Sequence, residues 1–343
     1  APEARGARRA REHRGVTTHR GEPGSFDGRV LFYGDSLTWG MAHDSTKRYF
    51  KTWPRELEVR LDVYNLKPIE AALCSRTTRW DDDGGNETWL PGSKPEDFNG
   101  LRKFATAFQS CWPKWVVILL GTNDLKRRIR SKYNCSNAEL PDKIAESVAR
   151  VGNLARELHL ASPFRCGDQI NIVIVCPPRV LVNRHSLALD YDHISRDISA
   201  EFPRAFAAMC QQNGFISAVP SIDIEFSVDG VHTTDADNFE YADAVWAAMR
   251  QVLPSPTEVT RLRDEARTAR GVNNAQALSG SSESGLENDN DNDGDTVVND
   301  DDDDSGSYMQ TEDGDDVGLG LDERNDVGGV SPLTSVTGGI GST

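Results

Sequence analysis

Two continuous apolar runs constrain the fold of this chain more than any other feature of its sequence. Residues 115–120 (WVVILL) and 171–176 (NIVIVC) show no alternation of apolar and polar side chains. Alternation is typical of a strand with one face in water, whereas a continuous run is typical of a parallel strand that helices cover on both faces. Residues 29–33, 69–73 and 215–219 are shorter apolar runs and predict three further strands. The chain is therefore expected to hold a parallel sheet between layers of helices.

Segments with helical patterns lie between the predicted strands. Helices are expected over residues 53–61, 138–160, 194–212 and 238–253, and Pro203 could interrupt the third of them. Five strands that alternate with helices predict the α/β class, as a three-layer α/β/α sandwich with a five-stranded parallel sheet of the flavodoxin-like kind and right-handed crossovers. This domain is expected to span residues 27–255.

Charge separates this domain from an acidic tail. The whole chain has a formal net charge of −16. Residues 271–343 hold eighteen Asp and Glu against one Arg, so they carry −17 and leave +1 for residues 1–270. The nearly neutral domain argues against nucleic acid as a partner. The Ser-, Gly-, Asn- and Asp-rich composition predicts that residues 256–343 form a disordered tail, and the Arg-rich residues 1–26 are expected to be disordered as well.

Three other sequence features bear on ligands and location. Residues 289–295 resemble the first half of a calcium loop, but position 12 of that pattern is Asp300 in place of Glu and no amphipathic helix flanks it, which favours a chance match. The six cysteines lack metal-ligand spacing, and reduced thiols are expected, although Cys135 and Cys166 could pair in an oxidising compartment. No secretory or membrane-spanning stretch is visible, so a soluble, cytoplasmic protein without membrane contact is expected.

A serine follows the first predicted strand within residues 34–40 (GDSLTWG). Ser36 comes directly after strand 29–33, and the flanking glycines allow the chain to turn sharply. It is therefore expected at the carboxyl edge of the sheet, where open α/β folds build their active sites. A serine at this edge can act as a nucleophile if a base and an oxyanion hole reach it.

Two later motifs offer the oxyanion donor and the base. Residues 121–124 (GTND) follow strand 115–120, which brings Asn123 to the same edge, where its amide can donate to a developing oxyanion or cap a turn. In residues 229–232 (DGVH), Asp229 stands three residues before His232. A carboxylate that holds one imidazole nitrogen leaves the other nitrogen to take a serine proton, although a lone pair of this kind is also common in surface loops.

In this order and on this architecture, the three motifs resemble those of the SGNH (GDSL) hydrolases. The resemblance covers residues 29–253 and is closest to the bacterial-type arylesterases and acyltransferases. It rests on GDSLTWG, on residues 75–78 (SRTT) and 120–124 (LGTND), on the Pro177-Pro178 pair, and on DGVH followed by Thr234 and Asn238.

The resemblance implies a role for each motif residue. Ser36 would be the nucleophile, His232 the base and then the acid, and Asp229 the partner that orients it. The oxyanion hole would combine the backbone N–H of Ser36, the side chain of Asn123 and the backbone N–H of Ser75. The resemblance implies neither a cofactor nor a metal.

The second block of the family pattern is altered in this chain. Ala72 and Ser75 stand where glycines are common, and the added side chains narrow the expected pocket. Three other histidines, His43, His185 and His193, have no carboxylate at a family position. They are interpreted as surface or pocket-rim residues.

Substrate contacts are expected beside the nucleophile. Trp39 and Met41 could line an acyl pocket or belong to the core. Arg76 could bind a substrate carboxylate or cap a turn.

Residues 79–100 are predicted to form a lid or rim loop, whose Trp80 and Trp89 suggest an apolar or aromatic substrate group. The sequence thus predicts a serine esterase that hydrolyses, or transfers, the small acyl groups of carboxylic esters. Two alternatives stay open. One is a carbohydrate or lipid deacylase on the same fold, and the other is a non-catalytic module whose acidic tail binds a basic protein.

Overall fold

The computed structural model describes residues 28–43, 47–82, 92–162, 169–222, 227–265 and 267–268. The predicted N-terminal segment, the tail beyond residue 268 with its calcium-like motif, Trp89 and Cys166 lie outside the described residues. Within the described ranges, no helix has the length and apolar character needed to cross a bilayer.

Five parallel strands form the sheet, as predicted. Their bounds are β1 Gly28–Gly34, β2 Leu66–Ala72, β3 Trp115–Leu119, β4 Asn171–Val175 and β5 Ile216–Ala218. They pair in the order β2-β1-β3-β4-β5, the flavodoxin-like order with its switch point between β1 and β3. Gly34 pairs with both Ala72 and Leu119. The segments that follow these three strands therefore emerge side by side at one edge.

Helices cover both faces of the sheet, which confirms the three-layer prediction. Their bounds are α1 Ser36–Trp39, α2 Trp53–Glu56, α3 Glu58–Asp62, α4 Gly100–Cys111, α5 Arg127–Arg130, α6 Leu140–Leu160, α7 Arg184–Ala188, α8 His193–Ala200, α9 Phe202–Asn213 and α10 Asp237–Met249. Leu31 and Tyr33 of β1 enter a core shared with α4, α6 and α9. Val30 and Phe32 enter a second core shared with α2, α3 and α10.

Two predicted helices are each divided in the structure. The pattern over residues 53–61 forms α2 and α3, with Leu57 between them. The pattern over residues 194–212 forms α8 and α9. Pro203 lies in the first turn of α9 and has no N–H with which to continue the hydrogen bonds of α8, so the helix restarts there.

Helical structure also occurs outside the predicted helices. α4 was not predicted, although its buried Phe104 and Phe108 stand at helical spacing. Residues 256–265 are also helical, and Val259 within them is buried in the second core. Packed residues therefore continue beyond the predicted boundary at residue 255.

Candidate active site

The turn after β1 carries Ser36. Asp35 is the N-cap of α1, and its Oδ1 accepts a hydrogen bond from the Leu37 N–H at 3.0 Å. Ser36 is the first residue of the helix, where backbone N–H groups have no partner within the helix itself. Its side chain is buried, with 6% of the residue exposed. Ser36 therefore lies at a helix N-terminus on the carboxyl edge of the sheet.

Hydrogen bonds to Asp229 hold the loop before α10 together. Its Oδ1 accepts hydrogen bonds from the Val231 N–H at 2.9 Å, the His232 N–H at 2.8 Å and the Ser227 hydroxyl at 3.1 Å. Gly230 has a φ of +71°, and a Cβ at this position would lie 2.7 Å from the Leu181 carbonyl oxygen. The close approach and the positive φ both require glycine here.

The two segments meet in one hydrogen-bonded chain. His232 Nε2 lies 2.8 Å from Ser36 Oγ, and His232 Nδ1 lies 2.7 Å from Asp229 Oδ2. All three residues are buried, with at most 6% exposed. A carboxylate on Nδ1 favours the tautomer whose Nε2 is an acceptor. The arrangement can therefore move a proton from the serine hydroxyl to the imidazole.

Asn123 follows β3 and faces the same turn. Its Nδ2 donates to Asp35 Oδ2 at 3.3 Å and to the Arg76 carbonyl oxygen at 3.2 Å, and its Oδ1 accepts from the Tyr191 hydroxyl at 3.3 Å. The amide is thus oriented on three sides. The structure brings Asn123 next to the residue that precedes Ser36, as its motif predicted.

Ser75 lies in a tight turn after β2. The Leu73 carbonyl accepts a hydrogen bond from the Arg76 N–H at 3.1 Å, and Ser75 within this turn has a φ of +60°. The Leu73 N–H in turn donates to the Gly34 carbonyl at 3.1 Å. The Ser75 hydroxyl accepts a hydrogen bond from Lys126 Nζ at 3.0 Å. The turn is therefore attached to the strand that leads into Ser36.

The Arg76 side chain connects the ends of β1 and β2. Its guanidinium donates to the carbonyl oxygens of Gly34 at 2.8 Å and Ala71 at 2.5 Å and lies 4.3 Å from the ring centroid of Tyr33. Only 8% of the residue is exposed. This placement favours a structural role for Arg76 over contact with a substrate carboxylate, because Nη1 of the buried guanidinium donates to two backbone oxygens.

Trp39 and Met41 are half-buried just beyond the nucleophile. The Arg48 guanidinium lies 5.0 Å from the Trp39 ring centroid, and Met41 pairs with Arg48 across an antiparallel bridge. The Tyr49 hydroxyl donates to the Thr233 carbonyl at 2.6 Å, which joins this segment to the histidine loop. Both predicted pocket residues therefore lie close to Ser36 in the chain, and they contact Arg48, which precedes the tyrosine that binds the histidine loop.

Burial changes the acidity of two carboxyl groups near Ser36. Burial raises the pKa of Asp35 to about 7, against the opposing effects of the Leu37 N–H and the nearby His232. Burial also raises the pKa of Asp124 to about 6, although Thr78 and Tyr133 donate hydrogen bonds to it. Perturbed carboxyl groups of this kind are common in active sites and in buried polar networks alike.

His43, His185 and His193 lie outside the hydrogen-bonded chain of Ser36, His232 and Asp229. His43 Nδ1 lies 3.4 Å from the Tyr49 hydroxyl, and His185 and His193 are exposed. Trp80 is half-buried and packs edge-on against Tyr133 with ring centroids 5.5 Å apart. Among the described residues, no group of three or more His, Cys, Asp or Glu side chains could hold a metal ion.

Sequence reasoning missed the residues that support the site. Ser227, Tyr191, Tyr49 and Lys126 each hydrogen-bond to a motif residue or to the segments that hold one. Lys126 and Ser227 lie near a motif, three residues after Asn123 and two residues before Asp229 respectively. The others belong to segments with no pattern of their own.

Known proteins share both the sequence pattern and the fold. The chain matches the model of the GDSL-like lipase/acylhydrolase family over residues 32–244. A carbohydrate acetylesterase from Sinorhizobium meliloti is 23% identical, with a TM-score of 0.53, over 66% of this chain and 99% of that chain.

Two further solved structures are similar over the same part of the chain. The inhibitor-bound aryl esterase from M. smegmatis is 25% identical, with a TM-score of 0.52, over 66% of this chain and 99% of that chain. A candidate arylesterase from Agrobacterium tumefaciens is 26% identical, with a TM-score of 0.51, over the same shares of the two chains. No curated protein matches the sequence significantly.

Proposed function

The chain belongs to the GDSL-like lipase/acylhydrolase family, and on that basis we propose that it hydrolyses carboxylic esters of small acyl groups through an acyl-enzyme on Ser36. It is an SGNH-type serine hydrolase. The single observation that carries the proposed mechanism is the buried hydrogen-bonded chain from Ser36 Oγ through His232 to Asp229.

In the first half-reaction, Ser36 Oγ attacks the ester carbonyl carbon while His232 Nε2 takes the hydroxyl proton. Asp229 stabilises the imidazolium that forms. The tetrahedral adduct then breaks its bond to the alcohol oxygen, which leaves with the proton from His232. In the second half-reaction water, or another alcohol, attacks the acyl group with His232 again as the base, and Ser36 recovers its proton.

The developing oxyanion needs donors that are already in place. The backbone N–H groups of Ser36 and Ser75 and the amide of Asn123 are the proposed donors. The two Nδ2 hydrogens of Asn123 are directed at Asp35 and at the Arg76 carbonyl, at 3.3 and 3.2 Å. We therefore expect the oxyanion to share or replace the longer bond, to Asp35, as the charge develops.

Aryl esters of short acids are the proposed substrates. The half-buried Trp39 and Met41 beside the nucleophile offer an apolar surface to a phenyl or acyl group. The similarity to the aryl esterase from M. smegmatis supports the same substrate class.

Hydrolysis of p-nitrophenyl acetate by the full chain tests the proposal. We expect Ser36→Ala to reduce turnover to a residual rate, because binding and the oxyanion donors alone supply only part of the catalysis. The matched control is Ser110→Ala, which removes an exposed hydroxyl that donates to the Ala107 carbonyl of its own helix. Equal activity of Ser36→Ala and Ser110→Ala would overturn the mechanism.

The acyl preference is tested with acetyl, butyryl and octanoyl esters of the same phenol. A preference for octanoyl would contradict the small-acyl proposal and favour a lipid deacylase. An acetylated sugar preferred over phenyl acetate would favour a carbohydrate deacylase. No turnover of any of these esters would favour the non-catalytic alternative.

A further inference from the structure

Lys126, Asp82 and Arg128 form an ionic network that contacts the Ser75 turn. Lys126 Nζ donates to the Ser75 hydroxyl at 3.0 Å and lies 3.6 Å from Asp82 Oδ2. Arg128 Nε donates to Asp82 Oδ1 at 2.8 Å. Lys126 and Asp82 are 4% and 1% exposed. This buried ammonium, which lies three residues after Asn123, has no part in the proton transfer described above.

The Ser75 backbone has a conformation that serine seldom adopts. With a φ of +60° at the third residue of a turn, Ser75 occupies a position that favours glycine. For a residue with a side chain, the left-handed region costs an equilibrium factor of roughly 5 to 30. The side chain must therefore be held by contacts that offset this strain.

The segment of residues 123–126 contacts the turn at two points. Asn123 Nδ2 donates to the Arg76 carbonyl at 3.2 Å, and Lys126 Nζ donates to the Ser75 hydroxyl at 3.0 Å. One short segment thus holds both the Ser75 side chain and the carbonyl of the residue that follows it. Since this segment also carries Asn123, it connects two of the three proposed oxyanion donors.

We propose that Lys126 is a positioning residue, which holds the Ser75 hydroxyl so that the left-handed backbone keeps the Ser75 N–H directed at the oxyanion. This inference rests on the proposed function and extends it. Lys126 makes up for the loss of a glycine at the altered second block, and Asp82 with Arg128 fixes the ammonium in turn.

The decisive comparison replaces Ser75 by alanine and by glycine. Alanine removes the hydroxyl and keeps the strain, whereas glycine removes both. We expect Ser75→Ala to lower kcat for p-nitrophenyl acetate roughly 5- to 30-fold with little change in KM. Ser75→Gly should lose less, about threefold. A role in pocket size or simple packing predicts the opposite order, because glycine departs further from serine in volume and adds flexibility.

A double-mutant cycle assigns the effect to Lys126. In the native background, Lys126→Met should lower kcat about as much as Ser75→Ala does. In the Ser75→Gly background the effect should be much smaller, because glycine adopts the left-handed backbone without the hydrogen bond from Lys126. Lys126→Arg, which keeps a donor, should recover part of the loss. Lys143→Met is the control, because the partly exposed Lys143 ammonium pairs with Glu146 on its own helix.

The outcomes separate this inference from the proposed function. A Ser75→Ala variant that fails to fold while Ser75→Gly folds would support the proposed role of the hydrogen bond from Lys126 to Ser75, since only glycine relieves the backbone strain. Activity that depends on Ser36 with Ser75→Ala equal to or above Ser75→Gly would overturn the inference and leave the proposed function intact. Activity that survives Ser36→Ala would overturn the proposed function itself.

Discussion

The replacement of Asp229 by asparagine tests how the structure sets the tautomer of His232. Asp229 Oδ1 accepts three hydrogen bonds, two of them from the backbone N–H groups of Val231 and His232 at 2.9 and 2.8 Å. In an Asp229→Asn variant these donors require the amide oxygen on their side. The amide NH₂ would then face His232 Nδ1 and force that nitrogen to accept. The imidazole proton moves to Nε2, and Nε2 can no longer take the proton of Ser36.

The size of the loss follows from the cost of turning the amide around. The flipped amide would point its NH₂ at two backbone N–H groups and leave both buried donors unpaired, at about 1–3 kcal/mol each. The productive tautomer is therefore disfavoured by about 2–6 kcal/mol, which is a fall in kcat of roughly 30-fold to 10⁴-fold. The loss of the negative charge beside the imidazolium pushes the effect toward the upper end.

The assay is steady-state hydrolysis of p-nitrophenyl acetate, with Ser36→Ala as the baseline. Asp235→Asn is the matched control, because Asp235 follows the same loop, is exposed and accepts a hydrogen bond from Asn238 at 3.3 Å. Equal urea midpoints of the two variants would show that Asp229→Asn folds normally. An Asp229→Asn activity within tenfold of the native protein would refute the argument, since it would mean that the loop does not fix the amide.

Three further predictions concern the surroundings of the site. Gly34→Ala places a Cβ 2.0 Å from the Thr38 hydroxyl, so we expect urea unfolding to show a loss of about 1–3 kcal/mol together with lost activity, whereas Gly28→Ala in the same strand meets only a flexible lysine side chain and should change neither. Arg76→Lys should lower the unfolding free energy and change KM for an anionic and a neutral ester by the same factor; a selective rise for the anionic ester would restore the pocket role. Burial raises the pKa of Asp124 to about 6, above about 3.9 in the unfolded chain, so its stabilisation is complete below pH 4 and is lost as the pH rises through 6. Relative to Asp124→Asn, the native protein should lose up to about 3 kcal/mol of unfolding free energy between pH 4 and 7, and a difference independent of pH would contradict this.

The strands could be predicted because their environment leaves a direct mark on the sequence. Residues 115–120 and 171–176 are apolar without alternation, since helices cover both faces of β3 and β4. Helix α4 carries an equally clear signal in Phe104 and Phe108, but it adjoins the polar residues 79–100, whose composition predicts a loop. Pro203 is likewise visible in the sequence, but whether the helix breaks there or only bends depends on tertiary packing.

The candidate site divides in the same way. Ser36 and Asn123 could be placed from sequence because each directly follows a strand, and parallel strands end at a common edge. The contact from Lys126 to Ser75 could not, because it joins side chains 51 positions apart and depends on how one loop lies over another. The local sequence pattern predicts which backbone segments reach the carboxyl edge of the sheet. The side-chain contacts between those segments, such as that of Lys126 with Ser75, depend on tertiary packing.

The two halves of the proposed catalytic machinery are held in physically different ways. The turns that carry Ser36 and Ser75 leave β1 and β2 where Gly34 and Ala72 are paired, so the sheet itself sets their separation. His232 instead stands on a loop that Asp229 organises and that Tyr49 joins to the nucleophile segment through the Thr233 carbonyl at 2.6 Å. A sheet edge moves only if the core is disrupted, whereas a loop held by a few hydrogen bonds can shift at little cost. Changes in the core should therefore affect stability and activity together, and changes at the loop anchors should affect proton transfer before they affect the fold.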